Sequence, residues 1–236
     1  MKISVIIPAY NEEKRIALCL DSLKEQTRTP DEIIVVDNNS KDNTAGIAVT
    51  YGAKVLKETE QGIIPARNKG FDEAIGGILA RTDADTTLPP DWLAKIEKSF
   101  AKDSNLVAIS GPAVFGSKAF SPIHNLFWFK SNKQLLGHPT LFGPNFAIRK
   151  SAWLLVRDEI CHDDKKVHED LDLAIHIANY GRVMLDPTLI VETSARRFTQ
   201  PSQLFEYPAR WRKTLFDHNI PRTKAKHLLQ KYKVHL

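Results

Sequence analysis

The sequence has 236 residues, of which 42% are hydrophobic and 26% are charged, a composition typical of soluble proteins. This length suits one main domain with a single core and a short appendage. The two cysteines, Cys19 and Cys161, lie far apart and outside any Cys-x-x-Cys pair. They argue against a disulfide framework and a thiolate zinc site, and they favour a reducing compartment.

Positive charge is concentrated at the C-terminal end. Residues 196–236 contain ten lysines and arginines against two acidic residues, which gives this segment a charge of +8. Since the whole chain carries +5, residues 1–195 carry −3. A basic segment rich in aromatic residues suits a membrane surface or an anionic acceptor, and equally a solvated helix that closes over the domain. We therefore predict a main domain over 1–195 and a basic, aromatic helical extension over 196–236.

The sequence lacks the pattern of a targeting or membrane-spanning segment. Its first ten residues form a short apolar run that ends in a polar turn, without a positively charged leader. No apolar run of about 18 residues is free of charges. We expect a cytoplasmic protein that is either soluble or bound through its extension to the cytoplasmic face of a membrane.

Apolar runs alternate with helical patterns along the first hundred residues. We predict strands at 3–7, 33–36, 54–56, 78–81 and 107–110, and helices over 16–23, near 45–51, around 66–74 and after the proline pair at 89–90. Such alternation predicts an α/β fold with a mostly parallel, Rossmann-like sheet and helices on both faces.

Polar residues directly follow three of the predicted strands. Glu12 follows the first strand, Asp37 the second, and Asp83 and Asp85 the fourth. Because ligands bind beyond the carboxyl ends of the strands in such sheets, we expect these side chains to converge on one edge. The carboxylates of Asp83 and Asp85 suit Mg²⁺ or Mn²⁺, which take oxygen ligands and bridge phosphates. An acidic turn before the next helix is the alternative.

A second acidic group opens a later predicted helix at Glu169, Asp170 and Asp172. Acidic residues in a first turn are favoured by the helix dipole, so a capping role is one interpretation. The other is catalysis, because a carboxylate can accept the proton of an attacking hydroxyl group, and Asp170 is our candidate. Arg67, at the start of its own predicted helix, suits an anionic diphosphate or a solvent-facing position.

Four potential metal ligands, one cysteine and three histidines, occur between residues 161 and 176. Cys161, His162, His168 and His176 are spaced unlike the known zinc patterns. Their acidic neighbours favour a polar loop. The spacing therefore does not predict a zinc site.

Taken together, these segments closely resemble the family 2 glycosyltransferases of the GT-A fold, from residue 3 to about 198. The resemblance is carried by SVIIPAYNEE (4–13), EIIVVDNNSKDNT (32–44), GIIPARNKG (62–70), TDADT (82–86), GPNFAIRK (143–150) and HEDLDL (168–173). It implies metal-dependent transfer, with inversion, of a sugar from a UDP- or GDP-linked donor to an acceptor hydroxyl group in glycan or glycolipid synthesis.

The resemblance also implies individual roles. It assigns Pro8, Ala9, Tyr10, Glu12, Asp37, Arg67 and Asp83 to the nucleotide, Asp83 and Asp85 to Mg²⁺ or Mn²⁺, Asp170 to the catalytic base, and Asn145 and Glu169 to the donor sugar and acceptor. We add Trp211 as an acceptor contact, and Arg196 and Arg197 as diphosphate ligands, with an exposed surface pair as the alternative for the two arginines.

One departure from the family bears on processivity. Polymerising members carry Gln-x-x-Arg-Trp after the Glu-Asp motif, whereas Tyr207 stands here at the Gln position before Arg210 and Trp211. This departure favours a non-processive enzyme.

Two other classes of protein stay open: a nucleotidyltransferase, although the first loop is acidic rather than basic and Gly-rich, and a non-enzymatic nucleotide- or nucleic-acid-binding protein. The chain carries no recognised nucleic-acid motif, so we expect no nucleic-acid partner.

Overall fold

The structure is a computed structural model that describes residues 1–116, 125–196 and 201–218. Its strands are β1 (Ile3–Ala9), β2 (Glu32–Asp37), β3 (Lys54–Lys57), β4 (Ile78–Arg81), β5 (Thr86–Thr87), β6 (Leu106–Ser110), β7 (Ala113–Phe115), β8 (Phe146–Arg149), β9 (Arg182–Leu185) and β10 (Val191–Thr193). Its α-helices are α1 (Ile16–Lys24), α2 (Thr44–Thr50), α3 (Ile63–Glu73), α4 (Trp92–Lys102), α5 (Asn132–Leu136), α6 (Lys150–Val156), α7 (Glu169–Ile177) and α8 (Pro201–Asp217). The elements predicted over the first hundred residues are confirmed.

Seven strands form the main sheet, in the order β3-β2-β1-β4-β8-β6-β9. All neighbouring pairs are parallel except those of β8, which runs antiparallel to both β4 and β6. A smaller sheet pairs β10 with β5 and β7. The predicted, mostly parallel sheet is therefore confirmed, and the small sheet brings the end of β10 beside the loop after β4.

Apolar side chains cover both faces of the main sheet. Along β1, Val5 and Ile7 pack in the core formed with α1 and α4, whereas Ile6 points to the opposite core, formed with α3, α6 and α7. This alternation follows from the two-residue period of a strand. All three side chains are fully buried, and each contributes about 1.5–3 kcal/mol of transfer free energy. Helices on both faces are thus confirmed.

Helix α8 packs against the main domain. Leu215 is buried in a small apolar cluster with Leu135 and with Leu171 of α7. The hydroxyl group of Thr214 accepts a 2.7 Å hydrogen bond from the backbone N–H of His168. The predicted extension is therefore helical over 201–217 and docks through one face. Its boundary at 195/196 stays a prediction.

Within residues 1–116, 125–196 and 201–218, no helix combines the length and the apolar character needed to cross a bilayer. Residues 219–236, which carry much of the positive charge of the extension, lie outside them. Contact of this segment with a membrane stays a prediction.

Candidate active site

The loops after β1 and β2 lie side by side at the carboxyl edge of the main sheet. Ala9 pairs with Asp37 in the parallel register, and the N–H of Asn38 donates a 2.9 Å hydrogen bond to the carbonyl of Ala9. Pro8 and Ala9 are buried in the strand, whereas Tyr10 is 47% exposed just beyond it. The residues predicted to bind the nucleoside therefore share one edge, as this topology requires.

Each of the two loops contains an asparagine with a left-handed backbone, and the side chain of Asn11 ties the loops together. Asn11 and Asn39 have φ of 55° and 66°, a region that Asn tolerates better than most side chains. The Oδ1 of Asn11 accepts a 2.8 Å hydrogen bond from the N–H of Lys41. The Oδ1 of Asp37 accepts a 3.2 Å hydrogen bond from the N–H of Ser40. These local hydrogen bonds fix the edge where a base would lie.

Arg81, the last residue of β4, is the centre of a buried cluster of charges. Its side chain is 1% exposed, and its guanidinium lies 3.1 Å from Asp83 and 3.2 Å from Asp170. It forms a third ion pair with Glu169. These pairs join the loop after β4 to the first turn of α7. They place one carboxylate predicted to bind metal beside the predicted base.

The first two acidic residues of α7, Glu169 and Asp170, have opposite pKa shifts. Burial raises the pKa of Glu169, but the charges of Arg81 and Arg67 outweigh burial and hold that pKa well below its usual range. Arg67 is 1% exposed and its NH1 lies 2.6 Å from Oε2 of Glu169. Burial raises the pKa of Asp170 well above its usual range, and the negative charge of Glu169 adds to this effect. Opposite pKa shifts of two adjacent carboxylates are typical of acid–base sites and also occur in structural ion-pair networks.

Gly143 completes the surroundings of Asp170. Its backbone N–H donates a 2.7 Å hydrogen bond to Oδ2 of Asp170. A Cβ at this position would lie 3.2 and 3.3 Å from the two carboxylate oxygens and 3.1 Å from NH2 of Arg81. Glycine therefore lets the backbone approach closely enough to hold the carboxylate.

The end of β10 brings a second arginine to the loop after β4. Arg196 lies 3.6 Å from Asp85 and forms a closer ion pair with Glu12. The hydroxyl group of Thr193 donates a 3.3 Å hydrogen bond to Oδ1 of Asp85. Three residues predicted for separate roles, Glu12, Asp85 and Arg196, therefore meet. Arg197, the other predicted diphosphate ligand, lies outside the described residues.

Two further predicted site residues are held by protein groups. Asn145 is fully buried, and its Oδ1 accepts a 2.8 Å hydrogen bond from the indole N–H of Trp92. Its amide donates to two backbone carbonyl groups. The indole N–H of Trp211 donates a 2.8 Å hydrogen bond to Asn132. Their contacts with sugar or acceptor stay predictions, and in this structure both side chains position neighbouring segments.

Sequence reasoning missed Arg81 and Thr193. A signal for Arg81 was present, because a charged residue ends the otherwise apolar strand Ile78–Arg81 two residues before Asp83. A charge in a buried strand needs partners, and carboxylates are the natural ones. Thr193 lies on a three-residue strand with no comparable signal. Only the pairing of the small sheet brings it to Asp85.

A family model and several relatives match this chain. The model described as Glycosyl transferase family 2 matches residues 4–159. Glycosyltransferase AglE of Haloferax volcanii is 37% identical over 101 residues, which is 39% of this chain and 33% of that protein. Dolichol-phosphate mannosyltransferase of Pyrococcus furiosus is 34% identical over 124 residues, which is 50% of this chain and 35% of that protein. The chain thus spans about one third of the length of these relatives.

The fold has a close counterpart among solved structures. Mannosyltransferase PcManGT from Pyrobaculum calidifontis, in complex with GDP-Man and Mn²⁺, superposes with a TM-score of 0.72 and 26% sequence identity. The match covers 97% of this chain and 68% of that one. The α/β fold of the GT-A type is therefore confirmed.

Proposed function

Because this chain belongs to glycosyl transferase family 2, we propose that it transfers a sugar from a UDP- or GDP-linked donor to an acceptor hydroxyl group, with inversion. The observation that carries the proposal is the position of Arg81, which pairs with both Asp83 and Asp170. The buried guanidinium of Arg81 thereby holds two carboxylates side by side. Asp83 suits a metal ion on the donor phosphates, and Asp170 suits the acceptor hydroxyl group. The GDP-Man complex of PcManGT supports a nucleotide-sugar donor.

Asp170 is the base in this proposal. Its Oδ1 or Oδ2 accepts the proton of the acceptor hydroxyl group while the hydroxyl oxygen bonds to the anomeric carbon. The bond from that carbon to the diphosphate oxygen breaks, and the diphosphate leaves with the electron pair. A pKa raised above the usual range makes Asp170 a stronger base near neutral pH than an ordinary carboxylate. A single displacement inverts the anomeric carbon and needs no enzyme nucleophile.

Asp83 and Asp85 fit a divalent cation. Their side chains are 16% and 15% exposed, so their hard oxygen donors can reach a bound ligand while remaining anchored by the sheet. When bound, Mg²⁺ or Mn²⁺ supplies Lewis-acid stabilisation of the leaving diphosphate. Mn²⁺ in the PcManGT complex supports such a cofactor. Arg196, beside Asp85, supplies a positive charge to the same phosphates.

The edge of β1 and β2 receives the nucleoside. Tyr10 offers an exposed aromatic face for the base, and Asp37 offers its carboxylate to the hydrogen-bonding edge. Pro8, Ala9 and Glu12 shape the wall of this subsite. We propose a glycan or lipid-linked acceptor, the addition of one sugar per binding event, and action in the cytoplasm, either free or at the cytoplasmic face of a membrane.

Calorimetry separates donor binding from chemistry. We expect UDP or GDP to bind the wild-type chain with Mn²⁺ present, and Asp85→Ala to lose the metal-dependent part of this binding. Asp170→Asn keeps the binding, and its donor turnover falls by about 10²–10⁴-fold because the base is lost. Asp158→Asn is the matched control, since that carboxylate is 89% exposed.

Two outcomes would count against the proposal. Failure of both nucleotides to bind with Mn²⁺ would remove the donor site. Release of pyrophosphate from a nucleoside triphosphate, without cleavage of a nucleotide sugar, would support nucleotidyl transfer instead.

A further inference from the structure

A second cluster of ionisable groups lies on the opposite side of α7 from Asp170. Asp172 and His176 are four residues apart on α7 and therefore share one face of the helix. His218, directly after α8, reaches the same point. One ligand atom of each residue lies within 4.8 Å of those of the other two. Among the described residues, this is the group that brings three such donors together.

We propose that Asp172, His176 and His218 form a binding site for Zn²⁺ that fastens α8 to α7. The Oδ1 of Asp172 lies 2.8 Å from Nε2 of His218 and 3.9 Å from Nε2 of His176. Ligands of a tetrahedral zinc ion with bonds of about 2.1 Å are about 3.4 Å apart. The two observed distances bracket this value. Since all three donor atoms lie within 4.8 Å of one another, small side-chain shifts would bring them to zinc-ligand separations.

Neighbouring groups orient the ligands as zinc sites require. Nδ1 of His176 lies 3.4 Å from Oε2 of Glu159, which leaves Nε2 facing Asp172. The hydroxyl group of Tyr180 in turn holds Glu159. The N–H of Cys161 donates a 2.9 Å hydrogen bond to Oδ2 of Asp172, which leaves Oδ1 for the ion. A histidine that binds zinc usually donates its other ring N–H to a carboxylate, which fixes the orientation of the ring.

The donor set selects the kind of metal. Two imidazoles and one carboxylate suit Zn²⁺ and related transition metals, whereas Mg²⁺ and Mn²⁺ prefer oxygen. The side chains of His176 and His218 are 18% and 19% exposed, so water can reach the fourth position. This site uses none of the residues assigned to donor, diphosphate or base. Its loss would leave the Asp83 and Asp85 carboxylates in place.

The two histidines come from segments far apart in the chain. His176 stands on the helix that carries Glu169 and Asp170, and His218 stands at the end of the C-terminal helix. An ion shared by both would stabilise the docked position of α8, because binding to the folded chain alone adds to its stability. The role proposed for the ion is therefore to hold α8 in its docked position on α7.

Metal titration of the full chain tests the proposal without any activity assay. Metal-stripped protein is titrated with Zn²⁺ by calorimetry and with Co²⁺ by visible absorption. We expect one equivalent to bind in the wild type and in Asp85→Ala, with the Co²⁺ spectrum of a tetrahedral site. Glu159→Gln weakens binding by about 10–100-fold, as expected for loss of a second-shell partner, and His176→Gln and His218→Gln weaken it further.

His162→Gln is the matched control, because His162 is exposed and lies outside the cluster. It keeps full Zn²⁺ affinity. Circular dichroism checks that each variant is folded. Absence of stoichiometric Zn²⁺ binding in the wild type would overturn the proposal. Binding that survives in both ligand variants, or that disappears in Asp85→Ala, would overturn it as well.

Discussion

Arg81 and Asp170 lie 3.2 Å apart in the core of this protein, although 89 residues separate them along the chain. Arg81 ends a strand and Asp170 begins a helix, so the ion pair joins two elements at the carboxyl edge of the sheet. The same guanidinium also holds Asp83 and Glu169. One buried cation therefore holds three carboxylates from two segments together.

Replacing Arg81 removes one ion-pair partner from each of three carboxylates. We expect Arg81→Met to lower the free energy of unfolding by about 3–5 kcal/mol, because these buried carboxylates lose the positive charge that they share. Urea denaturation measures the loss. Arg182→Met is the control: Arg182 pairs with Asp103 at 2.7 Å but is 51% exposed, so its loss costs less than about 1 kcal/mol. Equal losses in the two variants would contradict the central role of Arg81.

In the proposed mechanism, the pH dependence of turnover reports the pKa of Asp170. That mechanism uses the carboxylate form, so we expect kcat/KM to fall as pH drops through this raised pKa. Glu169→Gln removes a negative charge that raises that pKa, and we expect the acidic limb to move to lower pH. Glu159→Gln leaves the acidic limb in place, because Glu159 lies outside the cluster of charges around Arg81. An unmoved limb in Glu169→Gln would show that another group is the base.

The two cysteines differ in burial. Burial raises the pKa of the Cys19 thiol far above its usual range, and the charges of Asp83 and Asp85 add to the effect. Since the thiolate is the reactive form, we expect one fast-reacting thiol in the folded protein, Cys161, which is partly exposed. Titration with a chromogenic disulfide counts the thiols before and after addition of urea. Two fast thiols in the folded state would contradict the buried position of Cys19.

Arg196 tests the predicted diphosphate subsite. We expect Arg196→Ala to weaken UDP or GDP binding by about tenfold, the value of one hydrogen bond to a charged group. Binding of the nucleoside without phosphates stays unchanged. Arg15→Ala is the matched control, because Arg15 also pairs with Glu12, at 3.6 Å, but has no ion pair with Asp85. Equal effects of both variants would assign Arg196 to support of Glu12 alone.

Local patterns determined much of this protein. The two-residue and helical periods predicted β1, α1 and β2, because each element buries one apolar face or run. The residues that form such a face are close together in the sequence, so their spacing reveals it. Acidic residues at Asp83, Asp85 and Asp170 could be selected because strand ends and helix starts are local features as well.

The tertiary structure decided which distant residues meet. Arg81 is the centre of the charge cluster because α7 packs with Glu169 and Asp170 beside the end of β4. His218 lies beside Asp172 because α8 docks on α7. The spacing of the histidines in the sequence therefore could not predict this cluster. Ion pairs and metal ligands depend on distances of a few ångströms between segments, and packing of the cores, rather than any short pattern, sets those distances.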